Sequence, residues 1–80
     1  MMDEELKQKI RDNVEEDVYI PDHEEFERQL SGECYKIDYG EFIGVVIKGK
    51  GHNCLRVNYE TGKYEGLEDY EYAKQHGELL

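Results

Sequence analysis

The sequence predicts a small α+β domain with two short N-terminal helices, a three- to four-stranded antiparallel meander sheet and a C-terminal helix. Apolar residues recur at helical spacing in residues 1–33 and 68–80, whereas residues 34–67 show the alternating or continuous apolar runs of strands. Glycine-containing turns separate these runs, as is typical of hairpins. A chain of 80 residues corresponds to one domain, so we expect a single acidic unit over residues 1–80.

The first helix is predicted over residues 3–14, because Leu6, Ile10 and Val14 form a narrow apolar stripe along it. An acidic connector, residues 15–17, and a short extended segment, residues 18–20, are expected to follow. Pro21 excludes a helix that runs through this point, since the residue before a proline is displaced from helical geometry.

The second helix is predicted to begin after Asp22, which forms a capping box with Glu25. Phe26 and Leu30 are its expected buried side. Gly32 is expected to end this helix in the left-handed conformation.

Four strands are predicted over residues 34–39, 41–48, 53–59 and 64–67, the last as a short edge strand. Turns at residues 39–40, 49–52 and 60–63 join them, and Gly62 suits the left-handed bulge position of the last turn. The final helix is predicted over residues 68–77, with Gly77 as its cap. Its expected inward-facing side chains are Leu67, Tyr70, Ala73 and His76.

These turn positions fix a register and therefore the two faces of the sheet. The register pairs Ile37 with Phe42 and Ile47 with Cys54. One face then collects an apolar layer for the helices to cover, namely Tyr35, Ile37, Phe42, Val46, Leu55, Val57 and Tyr59. The opposite face is half apolar and collects Cys34, Lys36, Ile43, Val45, Ile47, Cys54, Arg56 and Asn58.

Three short helices are not expected to cover both faces of this sheet. An incompletely covered apolar strip on a monomer usually marks a contact surface. A homodimer that pairs through Ile43, Val45, Ile47 and Arg56 is therefore one functional alternative.

The net charge of the chain is −10, and charged residues are unevenly distributed along it. Residues 1–33 carry twelve Asp and Glu against four Lys and Arg, residues 34–63 have a net charge of +2, and residues 64–80 have −4. Such a field repels nucleic acid and anionic membranes, and it attracts basic proteins. We therefore expect a basic protein partner and no direct contact with nucleic acid or membrane.

Carboxylates on a rigid domain can imitate the spaced charges of a nucleic-acid backbone and occupy a basic groove on a partner. The leading hypothesis is thus an inhibitor or regulator of a nucleic-acid-handling protein, by analogy of size and charge with phage-borne, plasmid-borne or immunity-type inhibitors. The alternative is a surface that is acidic for solubility alone. The candidate acidic face comprises Glu15, Glu16, Asp17, Asp22, Glu24, Glu25, Glu27, Glu68, Asp69, Glu71 and Tyr72, the last as an exposed aromatic contact.

A metal-binding or redox domain is a further alternative, since His23, Cys34, His52, Cys54 and His76 include zinc-ligand types. Structural zinc sites use close ligand pairs, and only His52 and Cys54 are close in sequence. The predicted register puts Cys34 and Cys54 on one face, too far apart for a disulfide.

No residues form a recognisable catalytic motif, so we expect neither an enzyme nor a cofactor. No apolar run approaches the ~20 residues that span a bilayer. Two cysteines do not make a disulfide scaffold, and a cytoplasmic location is the expectation.

Overall fold

The computed structural model describes residues 2–80 and confirms the predicted α+β class with three helices and an antiparallel sheet. The sheet has five strands instead of three or four, in the order β4-β3-β2-β1-β5. In chain order the elements are α1 (Glu4–Val14), α2 (His23–Leu30), β1 (Cys34–Asp38), β2 (Ile43–Ile47), β3 (Asn53–Asn58), β4 (Tyr64–Asp69), α3 (Tyr70–His76) and β5 (Glu78–Leu79).

Aspartate caps begin all three helices. The Asp3 carboxylate accepts a hydrogen bond from the Leu6 amide at 2.8 Å, and that of Asp22 accepts one from the Glu25 amide at 3.1 Å. The Asp69 carboxylate accepts hydrogen bonds from the amides of Glu71 and Tyr72 in the first turn of α3. Helix α3 therefore begins at Tyr70 and not at residue 68 as predicted. The prediction for Gly32 is wrong, because α2 ends at Ser31 in a right-handed conformation and Gly32 has no positive φ.

The predicted register is wrong at both central pairings, with different consequences. In β1 and β2, Ile37 pairs with Gly44, a two-residue displacement that preserves the faces. In β2 and β3, Ile47 pairs with Leu55 and not with Cys54. The turn between these strands holds residues 48–52, one more than expected. A one-residue slip moves every side chain of a strand to the other face.

Helices cover both faces of the sheet, so the expected uncovered apolar strip does not exist. Helices α1 and α2 cover one face of the sheet. Helix α3 covers the other face and connects the edge strand β4 to the opposite edge strand β5. The larger cluster contains Met2, Leu6, Ile10, Val14, Phe26, Leu30, Cys34, Val45, Ile47 and Val57. The smaller one contains Tyr35, Ile37, Val46, Cys54 and Ala73.

Helix α1 is held against the turn between β3 and β4. Gly62 lies in this turn with φ +77°, which confirms its predicted left-handed conformation. A Cβ atom on Gly62 would lie 2.5 Å from the backbone carbonyl carbon of Lys9. The Asn13 side chain also donates to the Thr61 carbonyl at 3.2 Å. The turn thus fixes where α1, and the connector after it, lie on the sheet.

The inward side of α3 differs in part from the prediction. Ala73 is fully buried and Tyr70 half-buried, as expected, whereas Leu67 is 54% exposed on β4 and His76 is exposed. Within residues 2–80, no helix has the length and apolar character that crossing a bilayer requires.

Candidate partner-binding surface

Residues 3–33 form one acidic layer, because both α1 and α2 pack on the same side of the sheet. The exception is Glu33, whose carboxylate accepts a hydrogen bond from the Tyr35 hydroxyl on the α3 side. Most of the candidate carboxylates of this layer are exposed: Glu15, Glu16 and Asp17 in the connector, and Asp22, Glu24 and Glu27 around α2. Glu25 is half-buried. We use the name acidic layer for residues 3–33 below.

Some carboxylates of the acidic layer are neutralised by its own bases. Arg11 on α1 donates from Nε and Nη2 to both carboxylate oxygens of Glu27 on α2, at 2.7 Å each. This bidentate hydrogen bond holds the pKa of Glu27 below its ordinary value. Arg28 lowers the pKa of Glu25 in the same way. The Arg11–Glu27 pair joins α1 to α2, and the Glu25–Arg28 pair lies within α2.

Other carboxylates of the layer have no basic partner among residues 2–80. Glu16, Asp17 and Glu24 make no ion pair with any residue in the part of the chain that the structure describes. Within that same part, no carboxylate of the acidic layer pairs with a base of residues 34–63. No ion pair with residues 34–63 therefore offsets the net charge of −8 that the sequence gives these residues, although Lys50 and Lys48 lie near enough to help lower the pKa of Glu25 and Glu33.

The bases of the sheet contact other groups instead. The Lys36 ammonium lies 4.4 Å from the centre of the Tyr59 ring, and that of Lys48 lies 4.4 Å from the Tyr70 ring. Arg56 lies between the Tyr39 ring and the Glu68 carboxylate, at 3.6 Å from the latter.

The remaining candidates lie with α3, so the proposed acidic face is divided between two sides of the molecule. Glu68 points inward, where it accepts a hydrogen bond from the Tyr39 hydroxyl at 2.8 Å. Asp69 caps α3, while Glu71 is exposed. Tyr72 is 44% exposed, as expected, and its ring lies 4.4 Å from that of His76.

The candidate dimer face is not a surface of this domain. Val45 and Ile47 are at most 1% exposed beneath α1 and α2, with Ile43 half-buried on the same side. Arg56 pairs with Val46, on the opposite side of the sheet. The slipped register between β2 and β3 caused this misassignment, and it removes the observation on which the homodimer alternative rested.

The structure shows an apolar groove that the sequence analysis did not anticipate. It has a volume of about 330 Å³ and lies between α2, the turn before β3 and residues 18–21, which follow the connector. Tyr19 stands at its edge with 87% of its surface exposed. The signal in the sequence was Val18-Tyr19-Ile20 before Pro21, since alternation in an extended segment directs Tyr19 outward. The groove is lined by Val18, Tyr19, Ile20, Pro21, Asp22, Glu25, Phe26, Gln29, Lys50 and Leu55.

The two cysteines are free thiols buried on opposite faces of the sheet, and not on one face as predicted. Burial raises the pKa of Cys34 to about 11 and also raises that of Cys54. Within residues 2–80 no group of three or more His, Cys, Asp and Glu side chains is arranged to hold a metal ion.

In comparisons of the chain with known proteins, no family model, no curated protein and no solved structure matches it. Function is therefore inferred from the surface alone.

Proposed function

We propose that this protein is a small acidic interaction module that binds a basic, nucleic-acid-handling protein and blocks the groove in which that protein holds nucleic acid. The observation that supports this most is that Glu16, Asp17 and Glu24 of the acidic layer make no ion pair within residues 2–80. These carboxylates lie on α2 and on the connector, and both are anchored to the sheet through Val14, Val18 and Phe26.

Anchoring matters because a mimic of a nucleic-acid backbone must present its charges at fixed positions. Asp22 and Glu24 belong to the first turn of α2, whose geometry is set by the Asp22 cap. The Arg11–Glu27 pair ties α2 to α1. A partner groove that has evolved for phosphates would meet carboxylates at positions fixed by these contacts.

The size of the domain makes the acidic layer a local feature. The molecule measures 28 × 25 × 22 Å, whereas electrostatic fields decay over about 8 Å at physiological ionic strength. A partner near the acidic layer therefore experiences mainly its charge and much less the bases of the sheet. Association should be fast at low salt and should weaken steeply as salt is added.

The test is a binding assay against a panel of purified basic nucleic-acid-binding domains, with two triple variants of equal net charge. The first, E16Q/D17N/E24Q, removes free carboxylates of the acidic layer. The control, E41Q/E60Q/E78Q, removes three exposed carboxylates elsewhere. We expect the first variant to lose about tenfold or more in affinity for a bound panel member and the control to lose little, since each rim charge mostly affects association.

Competition gives the second part of the test. Duplex or single-stranded oligonucleotide should displace the protein from its partner, because both would occupy one groove. Equal losses in the two triple variants would show that only overall charge matters and would contradict the proposal. So would a ternary complex of partner, protein and nucleic acid.

A further inference from the structure

The apolar groove beside Tyr19 adds a second kind of contact to the acidic layer. We propose that this groove binds a large apolar side chain, carried between basic residues on a cationic segment of the partner. This inference rests on the proposed function, and it specifies the chemistry of the partner segment. A surface that acted through charge alone would need no such groove.

The shape of the groove supports an occupant of this size. Its volume of about 330 Å³ is at the lower end for ligand sites and suits one or two large side chains better than a cofactor. Its floor is formed by Phe26 of α2 and Leu55 of β3, and its wall by Val18, Ile20 and Pro21, which follow the connector. Phe26 is 6% exposed and belongs to the core, so the floor is rigid.

Tyr19 is the expected anchor beside this groove. Its ring lines the groove and also a second depression of about 190 Å³, whose wall includes Glu15 and His23. Tyrosine is enriched among residues that dominate binding energy, because it combines a large rigid area with a polar tip. An exposure of 87% leaves nearly all of that area available to a partner.

Charge around the groove indicates which segment would enter it. Six carboxylates lie within residues 15–25, and no Lys or Arg occurs between Arg11 and Arg28. Asp22 and Glu25 line the groove itself, where Glu25 is paired with Arg28 and Lys50 is the single cation among the lining residues. Basic residues on both sides of an apolar side chain would complement this rim, whereas acidic flanks would be repelled.

Two synthetic peptides of equal charge test the inference. Both are twelve residues of alternating Lys, Arg and Ser, and one carries a central Phe where the other has Ser. We expect the Phe peptide to bind the wild-type protein about tenfold more tightly, an advantage that persists as salt is raised. Amide shifts of residues 19, 26 and 55 should respond to the Phe peptide, and those of residues 15–17 and 22–25 to both.

Tyr19→Ala is the matched variant, with Tyr59→Ala as the control for loss of an exposed tyrosine outside the candidate binding face. Neither side chain is buried, so both variants should fold. Tyr19→Ala should lower affinity for the Phe peptide about five- to tenfold and change that for the Ser peptide less than twofold. Tyr59→Ala should change neither.

The outcomes separate this inference from the proposed function. Equal, salt-sensitive binding of both peptides would overturn the groove and leave the acidic layer as a charged contact. Failure of both peptides to bind at low salt would overturn the proposed function, and the groove with it. Concentration-dependent shifts at residues 19 and 55 without peptide would show that a second copy of the chain occupies the groove, which also overturns the inference.

Discussion

Alanine at Gly62 should destabilise the domain more than alanine at another glycine with the same backbone conformation. Gly62 has φ +77°, and an added Cβ would lie 2.5 Å from the Lys9 carbonyl carbon and 2.7 Å from its oxygen. Both are backbone atoms of α1, which cannot rotate away as a side-chain tip can. The helix must shift to admit the methyl group.

The expected cost has two parts. A non-glycine residue in the left-handed region costs about 1–2 kcal/mol. Forcing a methyl group into a filled contact adds about 1–3 kcal/mol, because α1 must move while Leu6, Ile10 and Val14 pack beneath it. The total, about 2–5 kcal/mol, is a large fraction of the stability of an 80-residue domain, which follows from roughly 0.05–0.15 kcal/mol per residue.

Gly51→Ala is the matched control. Gly51 has φ +88°, and nothing lies within 4 Å of an added Cβ. Gly51→Ala therefore has only the cost of the left-handed backbone conformation. The loss of conformational entropy in the unfolded chain is the same for both substitutions. Urea and thermal denaturation followed by circular dichroism should separate the two by about 1–3 kcal/mol, at roughly 4–8 °C of Tm per kcal/mol.

Equal destabilisation of the two variants, within about 0.5 kcal/mol, would refute this reasoning. It would mean that α1 does not rest on the turn between β3 and β4. The position of the acidic layer on the sheet would then need revision as well.

Two further predictions concern buried titratable groups. In the folded protein at about pH 8, Cys34 and Cys54 should resist a thiol reagent, because burial raises the pKa of each thiol. Both should react after unfolding in urea. Rapid labelling of either cysteine in the native state would contradict its burial. Burial and the hydrogen bond to Glu68 raise the pKa of Tyr39 to about 12, from an ordinary value of about 10. The Tyr39 hydroxyl therefore contributes stability that is fully present below about pH 10 and is lost as the pH rises toward 12. The difference in unfolding free energy between wild type and Tyr39→Phe should shrink across that range in urea titrations, and a constant difference would rule out this linkage.

Local signals predicted the elements well because they act within a few residues. The predicted cap at Asp22 is a hydrogen bond over three positions. The stripe of Leu6, Ile10 and Val14 repeats at helical spacing and is buried as expected. Gly62 was recognisable because few other residues tolerate the left-handed conformation of a hairpin turn.

Register depends on longer-range packing and was not predictable from the turn composition. The stretch from Lys48 to His52 permits a loop of four or five residues, and the structure has five. That single residue transferred Leu55 and Val57 to the side of Val45, which α1 and α2 cover. The groove beside Tyr19 was missed for the same reason, since Leu55 forms part of its floor.

Strand β5 could not be inferred because two residues carry no periodicity. It forms only where β1 offers a free edge, with Leu79 opposite Tyr35 and Glu78 opposite Lys36. Gly77 permits this close approach, since an added Cβ would lie 2.8 Å from that of Tyr35.

Placement of α1 and α2 on one side of the sheet displaces the centre of negative charge from the centre of mass. Residues 3–33 carry a net −8, against −4 for residues 64–80 and +2 for the stretch between. The molecule therefore has an electric dipole moment directed across the sheet, and the non-uniform field of a cationic surface exerts a torque on it. That torque turns the helical side forward before contact, so encounters begin with the connector and α2 already facing the cationic surface.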